Sequence, residues 1–219
     1  MKEHQDPLEP EHARKHRRGM AYSQLSQDLW ILGNDTSEHD KFFVEIGAYN
    51  GKFISNTLLL EENGWNGLCV EPNPELYSEL IVNRRCRTSN LAVHDGSSDC
   101  VFQLDDWNSG IVDHLDKQNN PTGKITVNTI SLHDLLTLYK CPKDIAYISI
   151  DTEGNELQIL QSFPFHEWNV GFWTVEHNDH VRKNRSRSRA LTEIFNKNGY
   201  ECIKVKFDLW ASSNRQESW

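Results

Sequence analysis

Four continuous apolar runs, each with an acid at or near its C-terminal end, most constrain the fold of this chain. The runs are FFVEI (42–46), GLCVE (67–71), IAYISID (145–151) and GFWTVEH (171–177). Runs without polar alternation are typical of parallel strands covered by helices on both faces. Segments with helical periodicity lie between them. The pattern therefore predicts an α/β fold built on an open, doubly wound, mostly parallel sheet.

Helices are predicted between these runs from apolar spacing and capping residues. In FISNTLLLEENG the apolar positions from Phe53 to Leu60 indicate a helix, and Gly64 ends it. The polar, turn-rich stretch from Ser97 to Lys124 has no such period, and we interpret it as an excursion over the mouth of a substrate site. Further helix boundaries are indicated by Asn73-Pro74, by the capping box SLHD at 131–134, and by Asn198-Gly199 before the strand YECIKVKF.

Composition and charge narrow the class of protein. The formal net charge of −9 argues against non-specific binding of DNA or RNA, although a basic run lies at 182–189. Five widely spaced cysteines without a C-x-x-C pair favour a reducing compartment, so we expect a cytoplasmic protein. No apolar run approaches the ~20 residues that span a membrane. Residues 1–20 are predicted to be a polar tail and residues 21–219 a single domain.

The four acids of the apolar runs are predicted to meet at one edge of the sheet. They are Glu45, Glu71, Asp151 and Glu176. Ligands of open α/β sheets bind outside the carboxyl ends of the strands, which is where these acids fall. A single acid there is often only a cap for the next helix. Four together create an anionic cleft, which favours a ligand that carries positive charge.

The turn after the first run favours S-adenosylmethionine over NAD. A pyrophosphate needs free N–H groups at a helix start and no neighbouring carboxylate, but Glu45 directly precedes this turn. Gly47 and Gly51 do not complete the G-x-G-x-x-G pattern of a dinucleotide site. S-adenosylmethionine has no phosphate and carries a sulfonium and an ammonium group. Glu71 lies at the end of the second strand, where an acid can accept hydrogen bonds from ribose hydroxyls.

The sequence resembles the FkbM-type S-adenosylmethionine-dependent methyltransferases from about residue 22 to residue 210. The motifs that carry the resemblance include FFVEIGAYNG, GWNGLCVEPNPELYSEL, YISIDTEGNELQIL and TVEHN. The resemblance implies a Rossmann-like class I methyltransferase fold with an antiparallel C-terminal strand. It also implies O-methylation of a sugar, a glycan end or another small hydroxylated metabolite, and it leaves the acceptor open.

The resemblance also implies which residues contact the cofactor. Ser23 to Asp28 match the lead-in segment of the family and are expected either to close over the cofactor or simply to cap a helix. Residues after the third strand are expected beside adenine. The full set of expected cofactor contacts is Gln24, Glu45, Gly47, Asn50, Gly51, Glu71, Pro72, Asn90, Ala92 and Asp151.

Two chemical routes are open for removing the proton of an acceptor hydroxyl. By analogy with catechol O-methyltransferase-like enzymes, Asp151, Glu176 and Asn178 could hold Mg²⁺, Mn²⁺ or Ca²⁺ through oxygen ligands. Without a metal, His177 would act as the general base, oriented by Glu153 or Glu176. Asp151, Glu153 and His177 are therefore the candidate catalytic residues.

Three residues are candidates for contacts with the acceptor. Trp107 lies in the polar excursion and could stack on a sugar ring, or it could anchor its loop. Arg185 and Arg187 belong to the basic run after the fourth apolar strand and could line the rim of the site for an anionic acceptor. The alternatives to a small-molecule or glycan O-methyltransferase are a non-catalytic binding domain and a nucleic-acid methyltransferase.

Overall fold

The computed structural model describes residues 21–35, 41–105, 109–115, 122–179 and 186–214. The predicted tail at 1–20 lies outside these ranges. The strands of the described residues are β1 (Phe42–Ile46), β2 (Asn66–Val70), β3 (Arg87–Ser89), β4 (Ala92–His94), β5 (Asp99–Leu104), β6 (Gly110–Ile111), β7 (Gly123–Ser131), β8 (Asp144–Ile150), β9 (Asn169–Glu176), β10 (Tyr200–Val205) and β11 (Asp208–Ser213).

Helices connect most of the strands of the main sheet. They are α1 (Gln27–Asn34), α2 (Leu58–Glu62), α3 (Pro74–Asn83), α4 (Leu132–Leu138), α5 (Glu156–Ser162) and α6 (Arg187–Lys197). The predicted caps are confirmed: the Asn73 side chain accepts a hydrogen bond from the Glu75 amide at the start of α3, and Ser131 and Asp134 form the capping box of α4. Among the described residues, no helix combines the length and apolar character that a membrane crossing requires.

The predicted doubly wound sheet is confirmed. Its strand order is β10-β11-β9-β8-β1-β2-β3, and β3, β2, β1, β8 and β9 pair in parallel. The exception is β11, which lies between β9 and β10 and runs antiparallel to both. The buried faces of the sheet pack against the helices through residues such as Phe43 and Trp173, both fully buried.

The strand order places a crevice between β1 and β8. Strand β1 pairs with β2 on one side and with β8 on the other, although β2 follows it directly and β8 comes about a hundred residues later. Because parallel crossovers are right-handed, connections at such a reversal of strand order leave on opposite faces of the sheet, and ligands bind at this topological switch point. The site is therefore expected at the C-terminal ends of β1, β2 and β8.

The stretch from Ser97 to Lys124, predicted as a polar, turn-rich excursion, contains strands that the sequence did not predict. Strands β5, β6 and β7 join β4 in a second sheet, in the order β4-β7-β5-β6. Phe102, Ile111 and Val127 pack against Ala92 in a small apolar cluster of their own. The polar composition of the segment did not reveal that these apolar side chains would be buried together. Their burial stabilises strand pairing, so the segment forms a sheet instead of a loop.

The predicted helix across Phe53 to Leu60 is too long. Helix α2 begins only at Leu58, and the preceding residues turn toward the end of β1. There the Ser55 hydroxyl, the Asn56 amide and the Thr57 hydroxyl all donate hydrogen bonds to the Glu45 carboxylate. Residues 55–57 therefore hydrogen-bond the buried Glu45 carboxylate instead of forming the first turn of α2.

Candidate functional site

The turn after β1 passes through a position that only glycine can fill. Gly47 has φ +83, and a Cβ added there would lie 1.7 Å from the backbone oxygen of Asp151. The turn is tied to both neighbouring strands, because the Gly47 and Ala48 amides donate to the Val70 carbonyl and the Asp151 amide donates to the Ile46 carbonyl. The backbone after β1 therefore lies directly against the backbone after β8.

Glu71 follows β2 and faces the same turn. Its two carboxylate oxygens accept hydrogen bonds from the Tyr49 amide at 3.0 Å and from the Asn73 amide at 2.8 Å. Burial raises the pKa of this carboxyl to about 7, against the opposing effect of the two amide hydrogen bonds. Each oxygen retains a lone pair, so the ionised group can accept two further hydrogen bonds.

A cavity of about 920 Å³, including the space at its open mouth, lies over these strand ends. Its walls are polar and anionic near the turn and apolar beside β4 and the second sheet. No Lys, Arg or His side chain is among the described residues that line it. The lining includes Glu45, Gly47, Glu71, Pro72, Asp151 and Glu153 on the first side, and Leu76, Ala92, Val93, Phe102 and Ile111 on the other.

Glu45 lines the cavity, but its charge is already neutralised by a residue that the sequence did not point to. The Arg84 Nη1 lies 3.2 Å from a Glu45 carboxylate oxygen, and the Arg84 Nε lies 2.8 Å from Glu61. The Arg84 side chain is fully buried. The expectation that Glu45 offsets the positive charge of a cofactor is therefore corrected: its counterion is Arg84.

Four other expected cofactor contacts lie outside the cavity lining. Asn50 caps its own turn, with its side-chain oxygen accepting from the Lys52 and Phe53 amides. Gly51 packs under the turn, where a Cβ would meet Leu80 and Arg84. The remaining two are Asn90, which is exposed after β3, and Gln24, which is half-buried before α1.

The lead-in segment contributes a hydrogen bond from a different glutamine. Gln27 donates its side-chain amide to the Asp208 carboxylate at 2.8 Å. The Ser23 hydroxyl donates to Asp28 at 2.6 Å, and Asp28 also accepts from the Tyr22 and Ser23 amides. Of the two readings of Ser23 to Asp28, these contacts favour local capping of the chain before α1.

The segment DTEGNE after β8 is organised by its last residue. Glu156 is fully buried, and one of its oxygens accepts from the Thr152 amide, the Thr152 hydroxyl and the Gly154 amide. Its other oxygen accepts from Arg187 at 3.1 Å, and Arg187 also donates to the Gly154 carbonyl. Glu153 is held at φ +61, an unfavourable conformation of the kind that concentrates at functional sites.

This contact corrects the prediction for Arg187. Its side chain is 7% exposed and supports the DTEGNE segment from below instead of lining an acceptor rim. Trp107 and Arg185, the other two expected acceptor contacts, lie outside the described residues.

Three carboxylates converge at the ends of β8 and β9. Oxygens of Asp151, Glu153 and Glu176 all lie within 4.8 Å of one another. The expected cation ligands were Asp151, Glu176 and Asn178, so Glu153 takes the third place. Asn178 instead donates its side-chain amide to a Glu176 oxygen. Carboxylate oxygens are the ligands that Mg²⁺ and Ca²⁺ prefer, so this arrangement could hold a divalent ion.

The pKa values of this carboxylate cluster are shifted upward. Burial and the charges of Asp208 and Glu156 raise the pKa of Asp151, while a hydrogen bond from Glu176 opposes the shift. Burial and the charges of Asp151 and Glu153 raise the pKa of Glu176. Burial also raises the pKa of Asp208 to about 6, against the hydrogen bond from Gln27. Like charges crowded at low exposure disfavour full ionisation of the cluster, which is why these pKa values rise together.

His177 does not share the cavity with these acids. Its side chain is 1% exposed, it is not among the lining residues, and its Nδ1 accepts a hydrogen bond from the Asp179 amide at 3.1 Å. With Nδ1 acting as the acceptor, the proton of a neutral ring resides on Nε2, so no lone pair is left for a substrate. The geometry therefore favours Asp151 over His177 as the base.

The part of the chain that contains this site matches a known protein family. Residues 45–202 match the Methyltransferase FkbM domain, a span that contains the turn after β1, Glu71 and the DTEGNE segment. No curated protein sequence matches the chain.

Three solved structures illustrate the distant likeness. The N-terminal domain of human METTL16 is 13% identical, with a TM-score of 0.45 over 85% of this chain and 66% of that one, so this chain spans just under two thirds of its length. A TehB-like SAM-dependent methyltransferase from Corynebacterium glutamicum is 9% identical, with a TM-score of 0.45 over 91% of this chain and 90% of that one. Precorrin-6y C5,15-methyltransferase from Geobacter metallireducens is 10% identical, with a TM-score of 0.44 over 84% of each chain.

Proposed function

We propose that this chain, which belongs to the methyltransferase FkbM family, transfers the methyl group of S-adenosylmethionine to a hydroxyl of a carbohydrate, glycan or similar small acceptor. One observation carries the proposal. Asp151 and Glu153, two members of the carboxylate cluster, line the same cavity as Gly47 and Glu71. One cavity therefore contains both carboxylates that could accept the proton of an acceptor hydroxyl and residues that could bind the nucleoside of the methyl donor.

The residues of the cavity fit S-adenosylmethionine. Apart from Glu45, which Arg84 already neutralises, the described lining contains three carboxylates and no basic side chain, which suits a ligand with sulfonium and ammonium groups and no phosphate. Gly47 lets the chain approach closely beside Asp151, and Glu71 offers acceptor positions for two ribose hydroxyls. The apolar wall at Leu76, Val93 and Ile111 provides a surface for a flat base.

The carboxylate cluster supports transfer to oxygen. A sugar hydroxyl is a weak nucleophile until its proton is drawn away, and a base works best when its pKa is near the working pH. Asp151 meets this condition because burial and the neighbouring acids raise its pKa. Its backbone is fixed by the amide hydrogen bond to Ile46 at 2.9 Å. Fixed positions of base and donor bring nucleophile, methyl carbon and sulfur into line, which lowers the barrier through orientation.

A divalent cation is the second version of the same chemistry. Asp151, Glu153 and Glu176 would hold it, and the ion would supply a positive charge that stabilises the alkoxide of the acceptor. The two versions differ in their response to chelators, because only the version with a cation loses methyl transfer when EDTA is added. Glu153 belongs to the site in both, either as a ligand or as a carboxylate that hydrogen-bonds the acceptor.

A small acceptor is favoured over nucleic acid. The net charge is −9, and the basic run at 182–189 loses one of its members because Arg187 is buried against Glu156. Arg189 pairs on the surface with Glu193 at 3.0 Å. The carboxylates of the cavity would repel phosphates and can accept hydrogen bonds from polyols.

The test combines cofactor binding with methyl transfer. Calorimetric titration with S-adenosylhomocysteine and with NAD establishes the cofactor preference, and transfer of labelled methyl is then screened over sugars, glycans and RNA, with EDTA or with Mg²⁺. Asp151→Asn and Glu153→Gln should lower kcat by about 10²-fold or more, the range of general-base catalysis. Glu167→Gln changes an acid that is 44% exposed and outside the lining, and it should leave kcat unchanged.

Three results would contradict the proposal. Full activity of Asp151→Asn would remove the assigned base, and transfer to RNA but not to polyols would assign the acceptor to the nucleic-acid alternative. Binding of S-adenosylhomocysteine without transfer to any acceptor would support the non-catalytic binding domain.

A further inference from the structure

A second group of ligating side chains lies apart from the carboxylate cluster, where the end of β4 meets the segment 109–115. The Nε2 atoms of His94 and His114 are 3.0 Å apart. The Nδ1 atom of His94 lies 2.5 Å from a carboxylate oxygen of Asp95. The His94 side chain is 12% exposed, so the pair is partly buried but open to small solutes.

The Asp95 contact fixes the tautomer of His94. A carboxylate accepts hydrogen bonds, so it holds the His94 proton on Nδ1 and leaves the lone pair on Nε2. That lone pair points at the Nε2 of His114. A carboxylate on one ring nitrogen and a free lone pair on the other is the arrangement that orients metal-ligating histidines in proteins.

We propose that His94 and His114 bind a divalent transition-metal ion through their Nε2 atoms, with Asp95 as the partner that orients His94. In the metal-free protein the Nε2–H of His114 donates to His94, and metal binding displaces that proton from the His114 Nε2. The two Nε2 atoms already lie within the span of two bonds to one ion.

The separation of the two nitrogens indicates which ions fit. With metal–nitrogen bonds of about 2.0–2.1 Å, nitrogens 3.0 Å apart subtend an angle of about 91–97° at the ion, close to a right angle. Adjacent positions of a tetragonal or octahedral ion have this angle, and imidazole nitrogen suits such ions. Cu²⁺ and Ni²⁺ are therefore the preferred occupants, with water at the remaining positions. Tetrahedral Zn²⁺ would require the rings to move apart by about 0.3 Å.

The location links two segments of the apolar wall of the cofactor cavity. Ala92 and Val93 of β4 line the cavity just before His94, and Ile111 lines it just before His114. The His114 carbonyl also packs against Gly154, where a Cβ would lie 1.9 Å from it. An ion bound by both rings cross-links β4 to the segment 109–115 and holds these two parts of the apolar wall together.

The test is titration of the tag-free, full-length protein with Ni²⁺, followed by calorimetry, on wild type, His94→Gln and His114→Gln. Each substitution should remove one bound ion per chain or weaken its binding at least tenfold. Asp95→Asn should weaken it by about 10–100-fold, the usual effect of losing an orienting partner. His133→Gln is the matched control, since His133 bonds Trp168 on the far side of α4 and should leave the ion count unchanged.

An independent measurement uses Cu²⁺ and electron paramagnetic resonance on the wild type. Couplings from two equatorial imidazole nitrogens, reduced in either single variant, are expected. Binding of S-adenosylhomocysteine by each variant in metal-free buffer verifies that the fold is intact. Equal ion count and affinity in wild type and in both folded variants would overturn the proposal, because the ion would then reside on other histidines such as those at 4, 12 and 16.

Discussion

Arg84 offers the sharpest test of how the cofactor turn is held. Its guanidinium contacts Glu45 at 3.2 Å and Glu61 at 2.8 Å, and it also donates to the Ser55 hydroxyl at 3.1 Å and to the Thr57 hydroxyl at 2.9 Å. Arg84→Met keeps most of the apolar stem and removes the charge. The two carboxylates then remain in a site from which water is largely excluded.

The expected loss of unfolding free energy is about 3–5 kcal/mol, the cost of removing one partner of a buried ion pair. Three donors from residues 55–57 still bind Glu45, which keeps the loss within that range even though two acids lose their counterion. The direction in which stability changes with pH follows from the protonation of Glu61. Hydrogen bonds from Arg85 and Arg84 outweigh the burial of Glu61 and lower its pKa, so the wild type gains stability from this group above its unfolded pKa and loses it as the pH falls.

The assay is urea unfolding followed by tryptophan fluorescence at pH 7.5 and pH 5. In Arg84→Met, an unpaired buried carboxylate takes up a proton more readily, so the deficit relative to wild type should shrink at pH 5. Arg85→Met alters the exposed neighbouring side chain and should change stability by less than about 0.5 kcal/mol. A loss under about 1 kcal/mol for Arg84→Met at pH 7.5 would refute the assignment of Arg84 as the counterion that holds Glu45.

Three further predictions address the cofactor site and the fold. The proposed ribose contact needs an ionised Glu71, and burial raises the pKa of that carboxyl to about 7. Each pH unit below 7 should therefore weaken calorimetric binding of S-adenosylhomocysteine by up to about tenfold, and Glu71→Gln should bind more weakly with a flatter pH profile. Gly47→Ala places a Cβ against the Asp151 carbonyl and should abolish measurable binding, whereas Gly33→Ala, where nothing lies within 4 Å, should not reduce it. Ser131→Ala removes the capping box of α4 and should lower the unfolding free energy by about 1 kcal/mol, and an unchanged urea midpoint would contradict that role.

The sheet and its active edge could be predicted because their signals are local. Continuous apolar runs specify buried parallel strands, and the acids that follow them fall at one edge for geometric reasons alone. The positions of Glu71, Asp151 and Glu153 in the cavity lining agree with that expectation. Caps such as Asn73 and Ser131 were also visible, since each bonds an amide only two or three residues away.

What could not be predicted depends on contacts between residues far apart in sequence. Arg84 neutralises Glu45 from 39 positions away, and Arg187 supports Glu156 from 31 positions away. Nothing local in the sequence therefore singled out Arg84, and Arg187 was predicted to line an acceptor rim instead. The second sheet was concealed because β5 and β6 carry polar residues and turns. A weak signal existed in β7, where KITVNTI alternates between apolar and polar positions.

The position of β11 in the sheet constrains the order in which the strands can pair during folding. This strand fills the gap between β9 and β10, and its first residue, Asp208, binds Gln27 and influences the pKa of Asp151. During synthesis β9 and β10 therefore emerge before the strand that joins them, and until it arrives β9 presents an unpaired edge to other chains. The electrostatics around the carboxylate cluster are not complete until that last pairing forms, because Asp208 contributes to the raised pKa of Asp151 only once β11 is in place.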